Sequence, residues 1–312
     1  MRVYLDQNKW IDLLRAAAGE PRLSKHREAH DTLLTAALDG SMSFPLSSVH
    51  LDETVRIRDA VRRRDLALTM TRFSRRHAIA PIGALLDREI DEAVHRLWDC
   101  PTSARAPEPF GVGMAFACGW ADADVCAGVP CSSDLDSALL DFYVLAGGNP
   151  TAELVAATAQ RHHTAVNCSA AESKMREQLH AARYKNKFGR DRVFVTLANQ
   201  LIEPRLIAAM IGNGIELSQI KALLPDDYAA LLTSIPSLCA VASLRMSKLS
   251  NPQHPWNAHD RNDINALSVA AVYCDVVVAE KDWTAHMRDA GFEKRYKVRL
   301  LTDIHELIPL IA

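Results

Sequence analysis

Arg2-Val3-Tyr4-Leu5-Asp6-Gln7-Asn8-Lys9-Trp10 sets the terms of the fold. Three apolar residues stop at an aspartate, and Trp10, Leu13 and Leu14 then recur at helical spacing. The segment reads as a short strand followed at once by a helix. The far end of the chain repeats this pattern. Val276-Val277-Val278-Ala279 runs into Glu280, a helix is expected from Trp283 to Ala290, a strand from Lys297 to Leu301, and a last helix from Ile304 to Ile311. Behind the first helix the spacing predicts a second from Lys25 to Leu38 and a strand from Met42 to Leu46. A helix capped by Ser47 or Ser48 should then run through Ile57 to Val61. A short strand at Ala78–Ile82 and a helix at Leu85–Trp98 follow. Strand–helix alternation of this kind predicts an α/β domain, a parallel sheet flanked by helices.

The middle of the chain differs. Residues 100–134 are rich in Pro, Gly, Cys and Ser and read as a loop or junction. From Leu135 to Leu249 nearly everything reads as helix. Segments start at Thr151 and Ser169, the second ending at the Lys187-Phe188-Gly189 turn. A long segment from Val193 to Ile211 is broken at Pro204, and shorter ones follow near Pro225 and Pro236. The expected division is residues 1–99 and 257–312 as the α/β domain, with 100–256 as an inserted all-helical subdomain.

Composition narrows the function. The 312 residues carry 36 Lys and Arg against 38 Asp and Glu, a net charge of −2, which excludes coating nucleic acid by bulk charge. No apolar run approaches the ~20 residues of a membrane span, so no membrane partner is expected. Asp6 interrupts the first apolar triplet, which does not suit a signal peptide. Seven cysteines, an odd number thinly spread, suit a reducing cytoplasm, and Cys118, Cys126 and Cys131 fit no zinc spacing.

Three expected strands end in a polar or acidic residue: Asp6, Ser47 and Glu280. In a parallel sheet, ligands bind beyond the carboxyl ends of the strands, so these side chains are candidates to converge. Glu53 shares a helical face with Val49 and Ile57, which puts a charge on an apolar stripe and calls for a cation beside it. Asp263 opens a helix that is apolar nearly all round and is expected to be buried. Each acid also has a plain structural use. Asp6 and Asp263 can cap helices, Glu53 can pair with an arginine, and Glu280 with Asp282 can form a solvated turn.

Tyr4-Leu5-Asp6-Gln7-Asn8 resembles the opening of PIN-domain nucleases, and Ser47 six positions before Glu53 resembles that family's second block. Asp263-Ile264-Asn265-Ala266-Leu267 is similar to the third, and Val278-Ala279-Glu280-Lys281-Asp282-Trp283 to the fourth. Ala279 stands where the family has threonine and Glu280 where it has aspartate, so either Glu280 or Asp282 serves as fourth acid. The resemblance covers roughly 1–80 and 257–312. It implies a PIN-like fold and an endoribonuclease dependent on Mg²⁺ or Mn²⁺, leaving 5′-phosphate and 3′-hydroxyl ends. Asp6, Glu53, Asp263, Glu280 and Asp282 would be catalytic and metal-binding, with Asn8, Ser47 and Asn262 orienting them. A structure-selective DNA nuclease and a catalytically silent scaffold binding nucleic acid or protein are the alternatives. An antitoxin-like protein is a candidate partner.

Two basic segments are candidates for holding a phosphate backbone. Residues 56–76 carry eight arginines against Asp59 and Asp65, Arg56 and Arg63 among them, on what reads as a continuation of the Glu53 helix. Residues 174–192 carry seven Lys or Arg, including Lys185, Lys187 and Arg190, interleaved with Tyr184 and Phe188. Both also suit solvated helix faces. His162-His163 and Gly111-Val112-Gly113 lack ligand or phosphate-loop spacing.

Overall fold

β1 (Val3–Leu5) runs without a gap into α1 (Gln7–Ala17) in the computed structural model, followed by α2 (Ser24–Asp39), α3 (Ser48–Thr54), α4 (Ala60–Ser74) and β2 (His77–Ile79). Then come α5 (Ile82–Trp98), β3 (Phe110–Val112), α6 (Gly113–Cys118), α7 (Asp134–Leu145) and α8 (Lys187–Gly212). After α9 (Leu217–Lys221), α10 (Pro225–Thr233), α11 (Pro236–Ser250) and α12 (Asp260–Tyr273), the strands return. They are β4 (Val276–Val278) and β5 (Arg299–Leu301), with α13 (Lys281–Asp289) and α14 (Phe292–Tyr296) between them and a 3₁₀ helix (Ile304–Leu310) at the end. The structure describes residues 1–20, 24–100, 106–120, 133–148, 187–250, 256–257 and 259–311.

The chain forms two compact units. The first comprises Met1–Pro81, Pro109–Thr164 and Tyr273–Ala312, the second Ile82–Glu108 and Ala165–Val272. These cuts fall elsewhere than the sequence boundaries at 99/100 and 256/257, and they assign α5 and nearly all of α12 to the helical unit.

In the first unit β1 pairs in parallel with β4, Val3 opposite Val276, and β4 with β5, Val276 opposite Arg299. On the other side of β1, Arg2 bridges Ser43 in parallel, and Leu46 bridges Ala78 of β2. Pro45 has no N–H to donate, so 43–46 makes isolated bridges instead of the strand expected over Met42–Leu46. Across the sheet the order is thus 77–79, 43–46, 3–5, 276–278 and 299–301, all parallel, with β3 antiparallel to β2 at the edge. Counted along the chain this is 3-2-1-4-5. The winding reverses between β1 and β4, and a crevice opens beyond the carboxyl ends at such a switch. Beneath it, Trp10, Phe44 and Phe73 meet edge to face at centroid distances of 5.8 to 6.3 Å.

Several local expectations are corrected. The helix carrying Glu53 stops at Thr54, because Asp59 starts a new one by accepting the N–H groups of Val61 (2.9 Å) and Arg62 (3.2 Å). Val61 is accordingly exposed rather than on an inward stripe. The stretch 100–134, read as a loop, contains β3 and α6. Gly113, at φ 88°, makes the tight turn between them and donates its N–H to the Arg76 carbonyl at 2.7 Å. Gly189 lies inside α8 instead of ending a helix, and Pro204 lies within α8 on its exposed side. The helix starts expected at Ser169 and Thr151 lie outside the described residues, as do Cys126, Cys131 and His162-His163.

In the second unit α8 packs against α5 and α11. Arg205 donates to the Gly83 carbonyl at 3.0 Å and pairs with Asp87, while Glu89 accepts both the N–H (2.7 Å) and the hydroxyl (2.6 Å) of Ser237 at the start of α11. Contrary to the sequence expectation, Val193–Gly212 is long and apolar enough to span a bilayer by length and composition, with mean hydropathy 1.2. Its Leu197, Ile202, Leu206 and Met210 are buried, and 28% of the stretch is buried in all.

Candidate metal and phosphodiester site

Asp6 sits where β1 becomes α1. Its N–H donates to the Val278 carbonyl at 3.0 Å, which ties it to the end of β4, and its carboxylate caps α1 by accepting the Gln7 N–H at 2.9 Å. Glu280 occupies the matching place after β4, in extended conformation ahead of α13, and accepts a hydrogen bond from the Asn8 side-chain amide. Lys9, next along α1, donates to the Thr302 carbonyl beyond β5 at 2.8 Å. The first turn of α1 therefore fastens the ends of three neighbouring strands. Glu53 comes from the last turn of α3.

Electrostatics join these acids into one group. Burial pushes the Asp6 carboxyl up to about 6, with the Glu280 charge acting in the same direction while the Gln7 N–H and Lys9 oppose it. Burial pushes Glu53 up to about 7, and the Asp6 charge adds to this; Arg56 pulls back, and Asp52 and Glu280 raise it further. Asp6 and Glu280 thus both act on Glu53, and Glu280 acts on Asp6, at the carboxyl ends of β1 and β4.

Other expected residues are placed differently. Asp282 lies in the first turn of α13 and is exposed; the charge that reaches both Asp6 and Glu53 is that of Glu280. Ser47 directs its hydroxyl to Tyr4 (3.2 Å) and His50 (3.3 Å). Asp263 and Asn262 lie on the first turn of α12 in the second unit, their N–H groups donating to the His259 carbonyl at 3.1 and 2.8 Å. Asp263 is half-buried and not buried as expected. The buried acid of that helix is Asp260, which heads the inward stripe of Ile264, Leu267 and Ala271. Arg56 follows α3, whereas Arg63 is on α4 and donates to the Ala146 and Ile57 carbonyls, both at 2.7 Å. Lys185 and the side chains of Lys187 and Arg190 lie outside the described residues.

Three residues of this neighbourhood escaped the sequence reading. His50 is fully buried, donates from Nε2 to the Leu5 carbonyl at 2.8 Å and accepts the Ser47 N–H on Nδ1 at 2.9 Å. This fixes its tautomer, and burial holds its pKa down at about 4. Gln7 and Thr54 are hydrogen-bonded at 3.0 Å. The one sequence signal for them is a polar residue at a place where the helical pattern asks for an apolar one.

The donor set suits a hard divalent cation. Carboxylate oxygens are its preferred ligands, and two carboxyls held well above their ordinary range are relieved when a positive charge arrives. Among the described residues no three His, Cys, Asp or Glu side chains form a ready-made ligand cluster. Mg²⁺ does not demand one, since it keeps several waters and takes one or two carboxylates. No protein-family model, curated protein or solved structure matches this chain.

Proposed function

We propose that the first unit is a PIN-like nuclease domain which hydrolyses RNA phosphodiester bonds with Mg²⁺ or Mn²⁺, leaving 5′-phosphate and 3′-hydroxyl ends. One observation carries this reading: Asp6, Glu53 and Glu280 come from segments far apart in sequence, and the Glu280 charge raises the proton affinity of both Asp6 and Glu53, with Asp6 adding to that of Glu53, at the switch point of a parallel sheet. Asp6 and Glu53 would hold the ion. Bound there, it supplies Lewis-acid chemistry, polarising a phosphoryl oxygen and making water a better nucleophile. Glu280, steadied by Asn8, orients water or a ligand oxygen from the outer side of the group. Arg56 is the nearby cation available to a phosphate, while Lys9 tempers the charge on Asp6.

The test is cleavage of end-labelled RNA and DNA oligonucleotides with Mg²⁺, Mn²⁺ or chelator, in the parent and in Asp6→Asn, Glu53→Gln, Asp263→Asn, Glu280→Gln and Asp282→Asn. The proposal expects metal-dependent RNA cleavage that is lost in Asp6→Asn and Glu53→Gln. Cleavage of branched DNA alone moves the assignment to a DNA nuclease. Binding of RNA or of an antitoxin-like protein without cleavage leaves a silent scaffold.

A further inference from the structure

Residues 5–7 and 50–54 are bolted together on both sides of the two acids they carry. On one side, the fully buried His50 ring donates to the Leu5 carbonyl at 2.8 Å and is itself held by the Ser47 N–H at 2.9 Å. On the other, the Gln7 amide donates to the Thr54 hydroxyl at 3.0 Å, Thr54 being 0% and Gln7 7% exposed. Asp6 is the residue between the two anchors on its segment, and Glu53 lies between the two on its own. Carboxylates in each other's field repel, so nothing in the acids themselves keeps α3 against the end of β1. The bolts do that. Both are buried, and leaving any of their groups unpaired carries a full desolvation cost.

We infer that His50 and the Gln7–Thr54 pair are positioning residues that hold the segments carrying Asp6 and Glu53 together for a shared divalent cation. This rests on the nuclease reading above and adds to it the device that sets the site. It differs from a plain packing role in a measurable way. A packing residue changes stability alone, whereas a positioning residue also changes affinity for the ion and turnover, with less effect on binding of the RNA chain.

The experiment compares the full chain with Thr54→Val, His50→Gln and His50→Ala. Thr54→Val keeps the shape and removes the oxygen that accepts the Gln7 amide, so it reads the device even if His50→Ala does not fold. His50→Gln offers an amide in place of the Nε2–H and serves as the conservative rescue. Titration calorimetry with Mn²⁺ alone on metal-free protein is expected to show affinity reduced roughly 10–100-fold in Thr54→Val and His50→Ala, with partial recovery in His50→Gln. Turnover of a fluorescent RNA oligonucleotide should fall by a similar factor while KM stays close to the parent's. If melting temperatures fall but Mn²⁺ affinity and kcat stay within about twofold, the bolts are packing only, and the positioning role is overturned with the nuclease reading intact. A parent chain that neither binds Mn²⁺ nor cleaves RNA overturns the nuclease reading, and the positioning role with it.

Discussion

Two of the places where this molecule takes carboxylates out of water are handled in opposite ways. At the start of α12, Asp260 is 2% exposed and meets the Lys248 ammonium at 3.1 Å while accepting the Asn257 N–H at 2.8 Å. The buried charge is cancelled on the spot, and the result is a fixed helix start. Beyond β1, Asp6 and Glu53 are pushed up to about 6 and about 7 by burial and by acids, with Lys9 and Arg56 opposing only in part. One site is finished by its own side chains, and the other is left in want of positive charge. A fold that needed only to bury an acid would use the first solution, so the second is where function is sought.

The largest expected effect tests the unfinished site. Asp6→Asn preserves the helix cap, since asparagine caps as well as aspartate, but removes a charge that the proposed ion would use. RNA cleavage should fall by about a thousandfold or more, on the order of 4 kcal/mol, with no loss of melting temperature. Wild-type rates in this variant would end the comparison. Next in size, Lys248→Met leaves Asp260 buried without its partner and should cost about 3 kcal/mol or more in urea unfolding, much of it recovered by adding Asp260→Asn. If the single and double variants are equally unstable, the finished site is not held by charge.

Below these comes a pH signature of about 1–3 kcal/mol. In the folded state Glu53 and Asp6 keep protons up to about 7 and about 6, where the unfolded chain releases them near 4.5 and 3.8. The native state therefore binds more protons across that window, and the contribution of these groups to stability falls as pH rises through it. His50 works the other way. Held neutral down to about 4, against 6.5 when unfolded, its contribution is fully present above 6.5 and is lost as pH falls through 4. Glu53→Gln should thus be more stable than the parent at about pH 8, and the gap should close as the pH approaches 4. If Asp6 and Glu53 hold a divalent ion as proposed, that ion binds only the folded parent and should narrow the gap as well. A gap of equal size at both ends of the range would show that Glu53 carries no strain.

How much of this was legible in the sequence depends on the range over which the signal acts. Val3-Tyr4-Leu5 before Asp6 and Val276-Val277-Val278 before Glu280 are local patterns, and both strands lie where they were read. The end of α3 at Thr54 was also written locally, in Asp59, but Ile57 and Val61 continued the apolar spacing and masked the cap. β3 was hidden by brevity, three residues with a glycine in the middle. His50 with Leu5 and Gln7 with Thr54 had no local signature at all. They are single hydrogen bonds across more than forty residues of sequence, made only once the sheet has formed. The same holds for the partner of Asp260: its pairing with Lys248 reaches back across twelve residues to the preceding helix and leaves no local pattern.

The smallest effect separates two arginines that the sequence placed in one basic run. Arg63 already donates to two backbone carbonyls at 2.7 Å, so its guanidinium holds α4 to the ends of neighbouring segments. Arg56 lies in the link after α3, and its charge acts on Glu53. If phosphate approaches the acidic crevice, Arg56 is the one placed to meet it. Each arginine that neutralises a phosphate of single-stranded nucleic acid contributes about 0.7 to the slope of log affinity against log salt. Arg56→Ala should therefore flatten that slope by about 0.7 and weaken RNA binding several-fold at low salt. Arg63→Ala should leave the slope as it is and instead lower stability by about 1–3 kcal/mol through the two unpaired carbonyls. Fluorescence anisotropy across a salt series, beside urea unfolding of both variants, decides it. If Arg63→Ala flattens the slope and Arg56→Ala does not, RNA runs along α4 and not across the acids, and the crevice loses its claim to the substrate.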